Sequence, residues 1–192
     1  MTKVYRFWYT FAMKNYDVIY EYAADNYGLI TSGQAKNLGI PNVELVKLAH
    51  RGRLTRLGHG VYRIMHYIPV AYDKYAQAVT IVGGDAAIYG ESVLAMHGLA
   101  LVNPSFITVA TGRRIRKKLP GFVKTICPER TLEKVEYEGI PSQSVYDALL
   151  SCKTIVMTDR LADAVNEATK QGLITVEEAR TALKELRRTS RR

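Results

Sequence analysis

The chain has 192 residues, with 27 Lys and Arg against 18 Asp and Glu, a formal charge of +9 and a pI near 9.5. Apolar residues make up 47% and charged residues 23%, close to globular averages, which excludes global disorder and leaves one large domain or two small ones. Cys127 and Cys152 are too few for a disulfide framework or a four-ligand zinc site, no apolar run approaches a membrane span of about 20 residues, and MTKVYRFWYTFAMK lacks the clean apolar stretch of a signal peptide. These features point to a soluble cytoplasmic protein with a polyanionic or acidic partner.

Residues 1–14 are expected either to be an N-terminal arm whose Tyr5, Arg6, Phe7, Trp8, Tyr9 and Phe11 pack on the next domain or on a second copy, or to be an extended translation start, since Met13 and Lys14 immediately precede the first clear helix. Over residues 15–27, Val18, Ile19, Tyr22, Ala23 and Tyr27 recur at three-to-four spacing, the period of an amphipathic helix, and Gly28 ends it. Thr31 or Ser32 can accept from the orphan N–H groups of a second, two-turn helix that closes by Gly39. Pro41 fits the first turn of a third helix, carried to about Arg51 by Val43, Leu45, Val46, Leu48 and Ala49. RLTRL, a turn at LGHG, and VYRIM then predict a β-hairpin.

Three helices and a hairpin in this order predict a winged helix-turn-helix over residues 15–70. The charge follows the same division. The first 70 residues hold nine Lys and Arg against four acids, and five of the nine lie between Lys47 and Arg63, together with His50 and His59. Glu44, Lys47 and Arg51 sit at i, i+3 and i+7, and Asn42 stands at the end that enters a major groove first. The candidate DNA-contacting residues are Ser32, Gln34, Asn42, Glu44, Lys47 and Arg51 on the helices and Arg53, Arg56, His59 and Arg63 on the hairpin. The hairpin arginines would neutralise phosphates, while Asn42 and Lys47 are placed for base edges.

Residues 71–186 predict a mixed α/β domain, so the fold class is α+β with a helical C-terminus. Helices are expected at 73–82, 87–97, from Ile140-Pro141-Ser142 to Leu150, at 158–171 and at 175–186, with Asp159, Glu177 and Glu178 favourable in first turns. Strands are expected at 106–110 and 122–127, paired across a basic link that projects as a hairpin tip, and residues 187–192 as a frayed basic tail.

Four stretches, which together cover most of residues 15–186, resemble AbiEi-type antitoxins, the regulator halves of type IV toxin–antitoxin pairs. LITSGQAKNLGIPNVELVKLAHRGRLTRLGHGVYRI resembles their winged domain; Ser92, Leu94, His97, Gly98, Leu99, Pro104, Ile107 and Val109 match a following segment; IPSQSVYDALLSC, with Asp147 at an acidic position, resembles a later helix; and DRLADAVNEATKQGLITVEEARTAL resembles the helical C-terminus that follows. Val145 departs from the threonine usual ahead of that aspartate, and residues 1–12 have no counterpart. The resemblance implies a bacterial repressor that binds inverted repeats in its own promoter, as two monomers or a homodimer, and opposes a nucleotidyltransferase-like toxin, classically without a stable direct complex.

Catalysis finds little footing. Asp85, Glu91 and His97 cluster in sequence, but Glu91 and His97 fall on different sides of the expected helix, and no metalloprotease, P-loop or nucleophile-elbow motif is present. No catalytic residue, metal site or cofactor is assigned. His97 is expected to end its helix and bond a backbone carbonyl, and the two thiols to be inert. Arg113, Arg114, Arg116, Lys117 and Lys118 form the densest charge run, either a solvated loop or a second polyanion site. The alternatives to a repressor are a protein-interaction module built on the winged domain and, less favoured, a nucleic-acid-processing enzyme.

Overall fold

A computed structural model describes residues 15–128 and 132–189. The expected arm over residues 1–14 and the last three residues of the tail lie outside the described residues. The chain forms two compact units, Met1–Ile81 and Val82–Arg192.

In the first unit, helix α1 covers residues 15–24. It buries Ile19 and Ala23 and half-buries Val18 and Tyr22, as the periodicity predicts. The chain leaves it through Tyr27 and Gly28, at φ 55° and 68°. Strand β1 (Leu29–Thr31) follows, then α2 (Ser32–Asn37), α3 (Asn42–His50), β2 (Leu54–Gly58) and β3 (Val61–Ile64). The sheet order is β1-β3-β2, antiparallel throughout, with Ile30 opposite Tyr62 and Arg56 opposite Tyr62 on the other side. This is the topology of a winged helix-turn-helix.

β1 is absent from the sequence-based expectation. Three residues after a glycine turn, the last of them the helix cap, are too few to show a period of two, and the strand exists because β3 is there to pair with it. Thr31 caps α2 in a reciprocal box with Gln34: Gln34 N donates to Thr31 Oγ1 (3.2 Å) and Thr31 N donates to Gln34 Oε1 (2.8 Å). Pro41 stands at the N-cap of α3 rather than inside its first turn, with extended backbone. Ile19, Ile30, Ala35, Leu45, Leu48, Leu54, Tyr62 and Ile64 meet in one core cluster, and each large aliphatic buried there contributes about 1.5–3 kcal/mol.

α4 (Asp73–Val82) follows the wing. The sequence division near residue 70 falls before this helix, whereas the compact unit runs to Ile81. The cause is local: Arg63 Nη2 on β3 lies 2.8 Å from Asp73 Oδ2, and Ile81 packs against the backbone of Gly58.

The second unit is built on a five-stranded mixed sheet. Its strands are β4 (Ala87–Ile88), β5 (Ile107–Ala110), β6 (Val123–Ile126), β7 (Lys134–Tyr137) and β8 (Ile140–Gln143), in the order β6-β5-β4-β8-β7. The helix expected at 87–97 is instead β4 followed by α5 (Glu91–Met96), because Gly90 takes φ 58° and ψ −130°, a conformation that breaks a helix and suits only glycine. β5 and β6 do pair, but in parallel. The basic link is therefore a crossover returning from one end of the sheet to the other, not a hairpin tip. Residues 140–143, expected as a helix start, are strand β8, paired antiparallel with β7 and in parallel with β4 through Ile88 and Ser142. The cap is one residue further on: Ser144 Oγ accepts from Asp147 N (3.0 Å) at the start of α6 (Val145–Ser151).

α7 (Thr158–Lys170) and α8 (Val176–Thr189) complete the unit, packing on each other and on α6. They bury Leu161, Ala164, Val165 and Ala168 on one and Ala179, Ala182 and Leu186 on the other, the three-to-four spacing of facing helices. Thr175 and Glu178 form a second capping box ahead of α8. Arg187 and Arg188 belong to that helix, not to a frayed tail, and Arg188 Nη1 donates to Glu185 Oε1 (3.0 Å).

Candidate nucleic-acid interface

α3 holds its place by burying Leu45 and Leu48, one turn apart. At 100° per residue those two anchors fix which side faces outward. Val43, Val46, Lys47 and His50 stand on that exposed face, with Asn42 at its edge. The sequence grouping of Glu44, Lys47 and Arg51 on one face is only partly realised. Glu44 is half-buried on the flank and accepts from Lys47 Nζ at 2.7 Å. Arg51 is the C-cap, exposed just past the last turn. An exposed pair such as Glu44–Lys47 is worth at most about 1 kcal/mol, so Lys47 can exchange its partner for a stronger anion. Val43 and Val46, counted in the sequence among the apolar residues carrying the helix, are instead 61% and 52% exposed.

Further exposed cations lie on and just before the wing. Arg53 is exposed, with its guanidinium over the Tyr16 ring at 5.4 Å. Arg56 is exposed on β2, and its Nε donates to Gly58 O (3.2 Å) within the bulged segment of the strand. His59 is exposed at the tip, where His59 and Gly60, at φ 68°, make the turn between β2 and β3. The turn is tied back to the helices, since Ser32 N donates to Gly60 O (2.8 Å). Ser32 Oγ donates to Asn42 Oδ1 (2.9 Å), which leaves the Asn42 amide N–H groups as outward donors.

Two candidates are engaged inside the fold. Gln34 is the reciprocal member of the α2 capping box, and its Oε1 also accepts from Thr31 Oγ1 (2.9 Å). Arg63 is turned inward: its side chain keeps 18% of its exposure, pairs with Asp73, which keeps 8%, and stacks over Tyr67 at 5.5 Å. Burial, followed by the Asp73 carboxylate, pushes the Tyr67 hydroxyl up to about 12. Alternation along a short strand gave no warning of this, because the partner lies ten residues away on another element.

In the second unit, Arg113, Arg114, Arg116, Lys117 and Lys118 are all exposed along the crossover between β5 and β6. Its start is anchored. Asp85 accepts from Thr111 Oγ1 and from Gly112 N, both at 2.7 Å, and these bonds hold its carboxyl below the usual range. The Arg113 guanidinium lies 3.7 Å from Asp85, and Gly83 and Gly84 ahead of it take φ 69° and 68°, a left-handed backbone that accounts for the Gly-Gly-Asp sequence.

The three residues considered for catalysis have separate surroundings. Asp85 serves the crossover, Glu91 opens α5, and His97 is the C-cap of that helix with its ring 4.1 Å from that of Tyr137. Burial lowers the His97 pKa. Cys127 is exposed and Cys152 buried, its thiol pushed up to about 12 by burial and then by Glu91. Among the described residues no group of three or more His, Cys, Asp or Glu could hold a metal ion, and no helix is long and apolar enough to cross a membrane. The acidic position singled out in the later helix, Asp147, is part of the α6 cap: Ser144 Oγ donates to its Oδ2 (2.9 Å).

Residues 17–64 match the family described as transcriptional regulator, AbiEi antitoxin. The matched span opens inside α1 and closes on the last residue of β3, so the AbiEi-like segment carries every element of the winged sheet and both helices of the helix-turn-helix. Comparison with curated proteins finds no match to the chain.

Proposed function

We propose that the first unit is the DNA-binding part of a cytoplasmic transcriptional repressor that acts on inverted repeats in its own promoter, with one chain on each half-site. The second unit, on this reading, opposes a nucleotidyltransferase-like toxin without catalysing a reaction and without a cofactor. The observation that carries the proposal is the exposed α3 face bearing Lys47 and Asn42 beside a wing bearing Arg53, Arg56 and His59, in the segment that matches AbiEi regulators. A major groove about 12 Å wide admits such a helix, and a short basic wing beside it lies along the phosphates. Ser32 orients Asn42, and the Arg113–Lys118 crossover is a second polyanion contact.

The test is binding of the full chain to its own promoter fragment across a salt series. Arg53→Ala and Arg56→Ala should each weaken binding to every sequence and reduce the salt slope by about one. Lys47→Ala or Asn42→Ala should relax base preference. Failure to retard promoter DNA, or binding independent of salt, would refute the repressor role in favour of a protein-interaction module. Co-expression with the product of the neighbouring gene tests the antitoxin role, with unrelieved toxicity as the contrary result.

A further inference from the structure

The middle of the α3 face is apolar, although the chain around it is basic. Val43 and Val46 are 61% and 52% exposed, while Leu45 and Leu48 on the opposite side are buried. Lys47, Arg51, Arg53 and Arg56 are exposed nearby in the sequence. A protein partner covering the valines would have to desolvate these cations as well, whereas duplex DNA offers anionic phosphates to the cations and an apolar group within the groove. That group is the 5-methyl of thymine, the one aliphatic substituent a base pair presents in the major groove. Valine suits it. β-Branching leaves essentially one rotamer in a helix, so its methyls are already positioned before binding. Positions i and i+3 are separated by about 4.5 Å along the helix axis, enough to address neighbouring base pairs stacked about 3.4 Å apart.

We infer that Val43 and Val46 select thymine in the operator by contact with its 5-methyl group. The inference rests on the DNA-binding reading and goes beyond it by naming the base and the chemical group that α3 recognises. Lys47 and Asn42 supply donors on the flanks, and the valines supply discrimination against cytosine and against unmethylated pyrimidine.

The probe is a duplex selected by the full chain from a library with a randomised core, then resynthesised with deoxyuridine replacing thymine one position at a time. At one or two positions in each half-site, loss of the methyl should weaken binding about fourfold, the factor that corresponds to burying one such group. Val43→Ala or Val46→Ala should bind thymine and uracil duplexes alike at its own position. Both valines are exposed and alanine is the better helix former, so the variants keep the fold. If every thymine can be exchanged for uracil without a change in affinity, or if the uracil penalty persists undiminished in both variants, the valine assignment is overturned while DNA binding stands. If the chain retards no duplex at all, the DNA-binding reading falls and this inference with it.

Discussion

The Arg63–Asp73 pair makes a sharp prediction because it sets two roles for one arginine against each other. With 18% and 8% of their side chains exposed and 2.8 Å between Nη2 and Oδ2, the two charges are largely out of water. Arg63 Nε and Nη2 and Asp73 Oδ1 make no hydrogen bond of good geometry among the described residues, so the contact is an ion pair rather than a charge-assisted hydrogen bond. Removing one partner of such a pair costs about 3–5 kcal/mol, and the residual exposure of Arg63 places Asp73→Ala near the lower end. For a domain of 60–100 residues, about 3 kcal/mol corresponds to a fall in melting temperature of roughly 10 °C or more. Because the pair is incompletely hydrogen-bonded, Arg63→Met combined with Asp73→Ala should recover most of that loss. A deficit of about 1–2 kcal/mol should remain from the Tyr67 stacking and the acidic first turn of α4. Thermal and urea unfolding of the wild type, the Asp73→Ala single variant and the double variant measure this. In the same preparations the double variant should keep the wild-type salt slope for DNA, whereas Arg56→Ala loses about one. A double variant no more stable than Asp73→Ala alone, or one that loses a full unit of slope, would refute the inward role of Arg63.

Other expectations concern the turns and the titrating groups. Gly28→Ala should destabilise the first unit by at least about 1–2 kcal/mol in urea unfolding, since φ is +68° and the new Cβ would stand 2.5 Å from Tyr67 Cγ; an unchanged midpoint would contradict both the left-handed backbone and the close approach of Tyr67. Burial lowers the His97 pKa, so the folded protein binds fewer protons than the unfolded chain near pH 6, and this contribution is present above pH 6.5 and fades as pH falls through and below it. His97→Phe should flatten that part of the stability profile, and an NMR titration of His97 at or above 6.5 would contradict the sign. Asp85 behaves as a carboxylate held low by the bonds from Thr111 and Gly112, so its stabilising effect is present above the ordinary carboxylate range and is lost on acidification through its depressed value. Asp85→Asn should remove it and increase amide exchange at Gly112; wild-type protection there would argue against the anchor.

The helices and wing of the first unit were legible because their signals are local: a three-to-four apolar period in residues 15–27, a hydroxyl at Thr31 or Ser32 ahead of the second helix, and a glycine-flanked turn between two β-rich runs. The orientation of α3 was less so. Five apolar residues in one helix do not say which two will be buried, and only the packing of Leu45 and Leu48 decides that Val43 and Val46 face out. In the second unit the misread elements are those whose identity depends on distant partners. Ala87–Ile88 is too short to signal a strand and merges with the pattern of α5 until Gly90 breaks it. Pro141 and Ser142 look like a helix start by composition, yet they lie in a strand because β4 and β7 flank them. Parallel pairing of β5 and β6 leaves no local trace. The crossover arginines and lysines were found by charge alone, but their connection across the sheet was not.

The central strand of the second unit has a consequence for how that unit assembles. β4 contributes two residues, and its bridge to β8 is the single pair of Ile88 with Ser142, reinforced by Gly90 N donating to Gln143 Oε1 at 3.0 Å. Every other strand pairing in the sheet is longer and joins neighbours closer in sequence. Closing this seam brings together positions more than fifty residues apart for very few backbone bonds, so its entropic cost comes before most of the reward. The two halves of the sheet can therefore form early as separate pieces, and the Gln143 amide, which also donates to Ser151 Oγ at 2.8 Å, fastens them to each other and to α6 when the seam closes.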